Sequence, residues 1–241
     1  MLVFLLACVV SFVPFAALYL WLRNSRKEDA AYRALCSKAL GRGALSVLPV
    51  LLFSGVSYIA LRLTGLHNTD KLLYQALYNF IVLALMEELA KFLAFRHMLK
   101  KTSYPFSWLD MTVVMTIIGI GFGALESVVY AIGSSVPVVL VRGICMPHAG
   151  YGFLVGYFYG KGVKEGKPAL KWLGFILSWF MHGLYDFSLS EEFIAVNDNL
   201  VIVALLLAVF DIVLVFLLIR FVKRAGKKEA CMQPLLHRQE V

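Results

Sequence analysis

The sequence predicts an all-α polytopic membrane protein with about seven transmembrane helices. Three observations carry this: 61% of its 241 residues are hydrophobic and only 16% charged, and mean hydropathy is +0.79. Apolar runs of about 20 residues, enough to cross a bilayer, recur along nearly the whole chain. They are continuously apolar rather than alternating, which selects helices over a barrel.

In order, the spans read as 2–22, 44–64, 72–99, 106–132, 136–160, 169–190 and 199–222. The first lacks a basic leading segment and is expected to be a retained helix. Residues 1–223 are expected to form a single integral-membrane domain, with 224–241 a short, basic, poorly ordered cytoplasmic tail. Of 23 Lys and Arg residues, 19 fall in the connections 23–43, 96–105 and 161–171 and in the tail from Arg220. Arg62 and Lys71 fall on the opposite side. By the positive-inside rule the N-terminus is outside and the C-terminus cytoplasmic. The net charge of +8 therefore reports orientation and contact with anionic lipid, not nucleic-acid binding.

Cys8, Cys36, Cys145 and Cys231 lack metal-type spacing and give no disulfide signal. Neither "GKGVKEGK" nor "GIGFG" has the context of a phosphate loop. Gly152, Gly156 and Gly160 share one helix face and predict close helix packing.

The chemistry lies in the polar residues within the spans. A charge at the bilayer centre costs at least ~2.5 kcal/mol, yet "ALMEELAKFLAF" carries Glu87, Glu88 and Lys91. At ~1.5 Å rise per residue, Glu88, Glu126, His148 and His182 fall in one band between the midplane and the outer half of the bilayer. Each comes from a different one of four consecutive spans. Glu87 and Lys91, Phe122 and Glu126, and His182 and Asp186 are i,i+4 pairs sharing a face.

Glu87 and Glu88 diverge by about 100° around the axis, so they are not expected to share a neighbour. Lys91 is expected to neutralise one of them. Asp186 is expected to orient His182 through one ring nitrogen and leave the other free, while Arg142 is a partner for Glu126 or Asp186. Asp211, alone in the seventh span, is a candidate supporting residue, and Asp110 is expected to meet water or Lys100 and Lys101. Carboxylates and histidines in a low-dielectric, partly hydrated cavity are the parts of a water-activating site.

"EELAK" (Glu87, Glu88, Lys91), "FGALE" (Phe122, Glu126), "MPH" (His148) and "HGLYD" (His182, Asp186), in this order on successive spans, resemble the PrsW family of intramembrane proteases. The CAAX prenyl proteases and the anterior-pharynx-defective subunit of gamma-secretase are more distant relatives. Glu126 and Asp186 stand where the CAAX motifs carry histidine and asparagine, which favours the PrsW branch. The resemblance implies an endopeptidase of the bacterial plasma membrane that cleaves a single-pass membrane protein, such as an anti-sigma factor, near the outer surface in regulated proteolysis. It assigns catalysis to Glu87, Glu88, Glu126, His148, His182 and Asp186, supported by Lys91 and Arg142. Glu87 or Glu88 would activate water.

No certain cofactor follows. Zinc held by His148, His182 and Glu88 or Glu126 is one mechanism, and a metal-free glutamate and histidine base is the one preferred on sequence. A catalytically silent scaffold and a proton-coupled transporter are the alternative functions.

Overall fold

The computed structural model describes residues 2–131 and 136–237, with the side chains of 2–8, 130, 131, 137–139, 141, 142, 198 and 227–237 outside that description. Twelve α-helices make up most of it, and no strand occurs among the described residues. They are α1 (Leu2–Asn24), α2 (Ala30–Leu45), α3 (Val47–Leu63), α4 (Leu66–Thr69), α5 (Lys71–Leu77), α6 (Met86–Lys101), α7 (Trp108–Ala131), α8 (Val136–Cys145), α9 (Pro147–Lys164), α10 (Pro168–Ser188), α11 (Glu191–Ile194) and α12 (Val201–His237). A π-helical segment, Tyr78–Leu85, joins α5 to α6. Among the described residues, three stretches are long and apolar enough to cross a membrane: Ala30–Leu63, Trp108–Val129 and Val201–Gly226. The chain is an all-helical integral membrane protein.

Helix α7 is the axis of the fold, buried from Val113 to Phe122. Its start is fixed by Ser107 and Asp110: the Ser107 amide and hydroxyl donate to Asp110 Oδ2 at 2.9 and 2.7 Å, and Ser107 Oγ accepts from the Asp110 amide at 3.2 Å. This reciprocal capping satisfies donors a helix start otherwise leaves unpaired. Asp110 is buried, and its ion pair is with Arg26 at 2.9 Å, not with Lys100 or Lys101. The loop before α2 is thereby pinned to the base of α7.

Three sequence expectations need correction. The connection 23–43 is largely helix: Asp29 caps α2 by accepting from the Tyr32 amide at 2.8 Å. Tyr32, Leu35, Cys36, Ala39 and Gly43 then form a buried stripe alongside α7, while Lys38 stays exposed. Counting charges hid this amphipathic period. The expected span 44–64 accordingly falls within the longer helical stretch Ala30–Leu63, whose two helices meet at Ser46.

The expected fifth span breaks at Met146, whose positive φ of 44° ends α8 before Pro147 opens α9. Proline suits a first helical turn, where its missing N–H removes an unsatisfied donor. The C-terminal residues read as a tail continue α12 to His237.

The glycine stripe of α9 faces α7. A Cβ at Gly152 would lie 2.7 Å from the Met115 carbonyl oxygen, and one at Gly156 would lie 2.8 Å from Thr112 Cα. At the other end of the interface, a Cβ on Gly119 would collide with the His148 carbonyl. Gly119→Ala must therefore push α9 off α7 at the residue that carries His148. We expect a loss of about 1–3 kcal/mol, read as a lowered thermal unfolding midpoint in detergent. The open-faced control Gly41→Ala, with no atom near its Cβ, should leave that midpoint unlowered.

Candidate active site

The π-helical segment immediately precedes the two glutamates. Such segments are rare and concentrate at functional sites. Its carbonyls bind side chains of neighbouring helices: Phe80 O accepts from Trp179 Nε1 at 2.7 Å and Val82 O from Ser54 Oγ at 2.9 Å. These contacts fix the approach of the chain to Glu87. Met86–Lys101 then returns to α-helical geometry with Glu87, Glu88 and Lys91 all buried.

Glu88 is wholly enclosed and fully engaged. Its Oε1 accepts from Lys91 Nζ at 2.6 Å and faces His182 Nδ1 at 2.9 Å, while Oε2 accepts from Ser178 at 3.0 Å. Lys91 therefore neutralises Glu88, and its ammonium also lies 4.5 Å from the Phe122 ring centroid. Glu87 is different: its Oε2 is buried with no hydrogen-bond partner among the described residues, 3.7 Å from His182 Nε2. The adjacent glutamates do share a neighbour after all. They reach opposite nitrogens of one imidazole, because a ring presents two polar edges to side chains that diverge along the helix.

His182 likewise has no nitrogen left over. Nε2 lies 3.3 Å from Asp186 Oδ2, the expected partner, and Nδ1 is held by Glu88. His148 approaches from α9, its Nδ1 2.8 Å from Lys91 Nζ and its Nε2 2.5 Å from Glu126 Oε2. The two imidazoles are nearly perpendicular, with centroids 5.1 Å apart. Six predicted residues, Glu87, Glu88, Lys91, Glu126, His148 and His182, thus converge with Asp186 at the edge. The side chain of Arg142 lies outside the described residues.

One atom each from Glu87, His148 and His182 lie within 4.8 Å of one another, a group able to hold a metal ion. The carboxylate in this trio is Glu87, where Glu88 or Glu126 was expected; Glu88 is withdrawn by its three donors. Sequence reasoning also missed Ser178 and Tyr151. Ser178 is i−4 to His182 and so shares its face, a legible signal. Tyr151, whose ring stacks on His182 at 5.2 Å and 27°, is i+3 to His148 but looks like any aromatic in an apolar helix.

A cavity of about 360 Å³ reaches Glu87 and Glu126 beneath α3, with Phe122, Ser54, Tyr58 and Tyr78 among its walls. Tyr58 and Tyr78 also border a polar pocket of about 440 Å³ that carries Arg62, Lys71 and Glu192. Their rings meet edge to face at 5.7 Å. Glu87 and Glu126 therefore line a cavity that shares Tyr58 and Tyr78 with the polar pocket.

Residues 32–218 match the family model described as PrsW family intramembrane metalloprotease. Among curated proteins, the chain is 27% identical over 152 residues to Protease PrsW of Oceanobacillus iheyensis, covering 61% of this chain and 66% of that protein. It is 28% identical over 123 residues to Protease PrsW of Geobacillus kaustophilus, covering 47% and 52%. It is 33% identical over 87 residues to Protease PrsW of Bacillus subtilis, covering 34% and 39%. The matches thus span less than two thirds of these relatives' own length, and no solved structure matches. Since the family model covers most of the chain, including every element that builds the Glu and His cluster, this protein belongs to the PrsW family of intramembrane metalloproteases.

Proposed function

We propose that this chain is a zinc-dependent endopeptidase of the bacterial plasma membrane that cuts a single-pass membrane protein, such as an anti-sigma factor, near the outer surface. The observation that carries the reading is the convergence of Glu87, His148 and His182, with Glu87 Oε2 buried and lacking a hydrogen-bond partner. An orphaned buried carboxylate oxygen is costly unless something pairs with it. Two histidines and a glutamate with a position left open form a known zinc donor set for hydrolysis.

When bound, zinc supplies Lewis-acid polarisation of the peptide carbonyl and of the attacking water. Glu126, beside Glu87 on the cavity wall, takes the proton from that water and returns it to the departing amine. Glu88 accepts a hydrogen bond from His182 Nδ1–H, fixing its tautomer and ring direction so that Nε2 faces Glu87. Asp186 borders the same nitrogen. His148 would offer the metal a ring nitrogen, and Lys91 stays held by Glu88, where its bond is the shorter of its two.

One observation favours a second, metal-free reading: Lys91 and Glu126 already engage both nitrogens of His148. Glu126 and His148 would then share base duty. Metal content of protein purified without chelator separates the two, with near one zinc per chain expected, lost in His182→Ala.

In this reading the chain crosses the membrane seven times, as α1, α2 with α3, α5 through α6, α7, α8 with α9, α10, and α12, N-terminus outside. This places Arg62, Lys71 and Glu192 at the outer face. Substrate enters there, past Tyr58 and Tyr78, as an extended segment. The test in cells is mass spectrometry of new peptide termini in membrane and secreted fractions, wild type against Glu126→Gln at matched levels. Termini on single-pass proteins that need Glu126 are expected; their absence with folded, expressed protein would favour the silent scaffold.

A further inference from the structure

Asp211 is a charge without a role in the scheme above. It is the one charged residue between Val201 and Ile219, and it is completely buried. An acid at such a place carries a large insertion cost, and intramembrane acids are usually functional. Its Oδ2 accepts from the Tyr151 hydroxyl at 3.4 Å, and its Oδ1 has no partner among the described residues.

The other end of Tyr151 leads into the site. Its ring stacks on His182 at 5.2 Å with planes 27° apart, and meets His148 nearly perpendicularly at 6.4 Å. One phenol ring therefore borders both imidazoles. The backbone brings α12 close here: a Cβ on Gly150 would lie 3.1 Å from Leu214 Cβ and 3.5 Å from the Asp211 carbonyl oxygen. The hydroxyl bond links the far end of this ring to α12.

We infer that Tyr151 and Asp211 are a positioning pair: Asp211, from α12, anchors the Tyr151 ring, which holds His148 and His182 at the mutual angle their metal-binding nitrogens require. This rests on the Glu87, His148 and His182 metal reading. It extends the site to a helix that supplies none of the chemical groups. Outer groups that orient metal-binding histidines commonly contribute 10–100-fold in metal affinity. The pair should act as one unit, since removing either end releases the same ring.

The experiment is zinc titration of purified full-length protein in detergent, with the visible spectrum of the cobalt(II)-loaded form as second readout. Tyr151→Phe and Asp211→Asn are each expected to weaken zinc about 10-fold or more and to shift the cobalt bands. The double variant should be no weaker than the weaker single. Tyr151→Phe keeps the ring and its volume, so it remains informative if Asp211→Asn does not fold.

Leu214→Ala, which disturbs the same helix contact without touching the polar link, should lower the unfolding midpoint and leave the cobalt bands unchanged. Wild-type zinc binding with unchanged affinity and spectrum in both polar variants would overturn the pairing alone. No zinc in the wild type would remove the metal reading and this inference together.

Discussion

Glu87→Gln is expected to abolish both zinc retention and cleavage, whereas Glu126→Gln should keep zinc and lose cleavage. The contrast follows from how the two carboxylates are held. Glu87 Oε2 faces His182 Nε2 with no hydrogen-bond partner among the described residues, so it is the oxygen available to a cation. Glu126 Oε2 lies against His148 at the cavity wall, where a base would sit. Loss of a direct ligand should exceed the 10–100-fold typical of outer groups, leaving Glu87→Gln without metal after dialysis. Loss of a general base lowers rate by about 10²–10⁴-fold.

Zinc content by elemental analysis and cleavage of a substrate found by terminus mapping read the two effects separately. Retained zinc in Glu87→Gln with lost zinc in Glu126→Gln would exchange the assignments. If the wild type held no metal and both variants were inactive, the metal-free mechanism would stand.

How much of this was visible beforehand depended on the physical signal each feature leaves in sequence. Glu87, Glu88, Lys91, Glu126, His148 and His182 were legible because a polar group in an apolar run is costly and therefore conspicuous. Helical rise alone placed the four deepest in one layer, and the structure brings those together. Which glutamate meets which partner was not legible. It depends on helix rotation, and the π-helical turn before Met86 changes that rotation without any composition signal.

The helix between Ala30 and Leu45 was missed for the opposite reason. Its Arg and Lys residues made it look like a cytoplasmic connection, although Tyr32, Leu35, Cys36, Ala39 and Gly43 carry a clear helical period. The break at Met146 was hidden because proline is compatible with continuing a membrane helix, and only the positive φ reveals the end of one segment. Tyr151 shows the limit most plainly. Its role comes from the angle of its ring to His182, and ring angles have no sequence signature.

Lys91 and Glu88 should show the largest stability effect in the protein, and one that a double substitution reverses. Both are essentially inaccessible, and their 2.6 Å contact lies in a core of Phe122 and the two histidine rings. Removing one member of such a pair leaves an uncompensated buried charge, a loss of about 3–5 kcal/mol. Lys91→Met is therefore expected to unfold at markedly lower temperature or denaturant, although methionine keeps most of the volume. Glu88→Gln should lose somewhat less, because Gln still pairs with Ser178 and His182 while stranding the ammonium.

Joining the two removes both charges, and stability should return to within about 1–2 kcal/mol of the wild type, since neutral replacements of a buried pair are often tolerated. Activity should not return with it, because a neutral amide no longer balances charge on His182 through Nδ1 and the Lys91 ammonium against His148 is gone. Unfolding curves and cleavage assays on the same four proteins close a double-mutant cycle. Additive losses would mean that Lys91 and Glu88 act separately. A stable double variant without activity would separate stability from the charge balance at His182 and His148. That outcome would also answer the scaffold alternative, since a cluster kept only for stability would have no activity to lose.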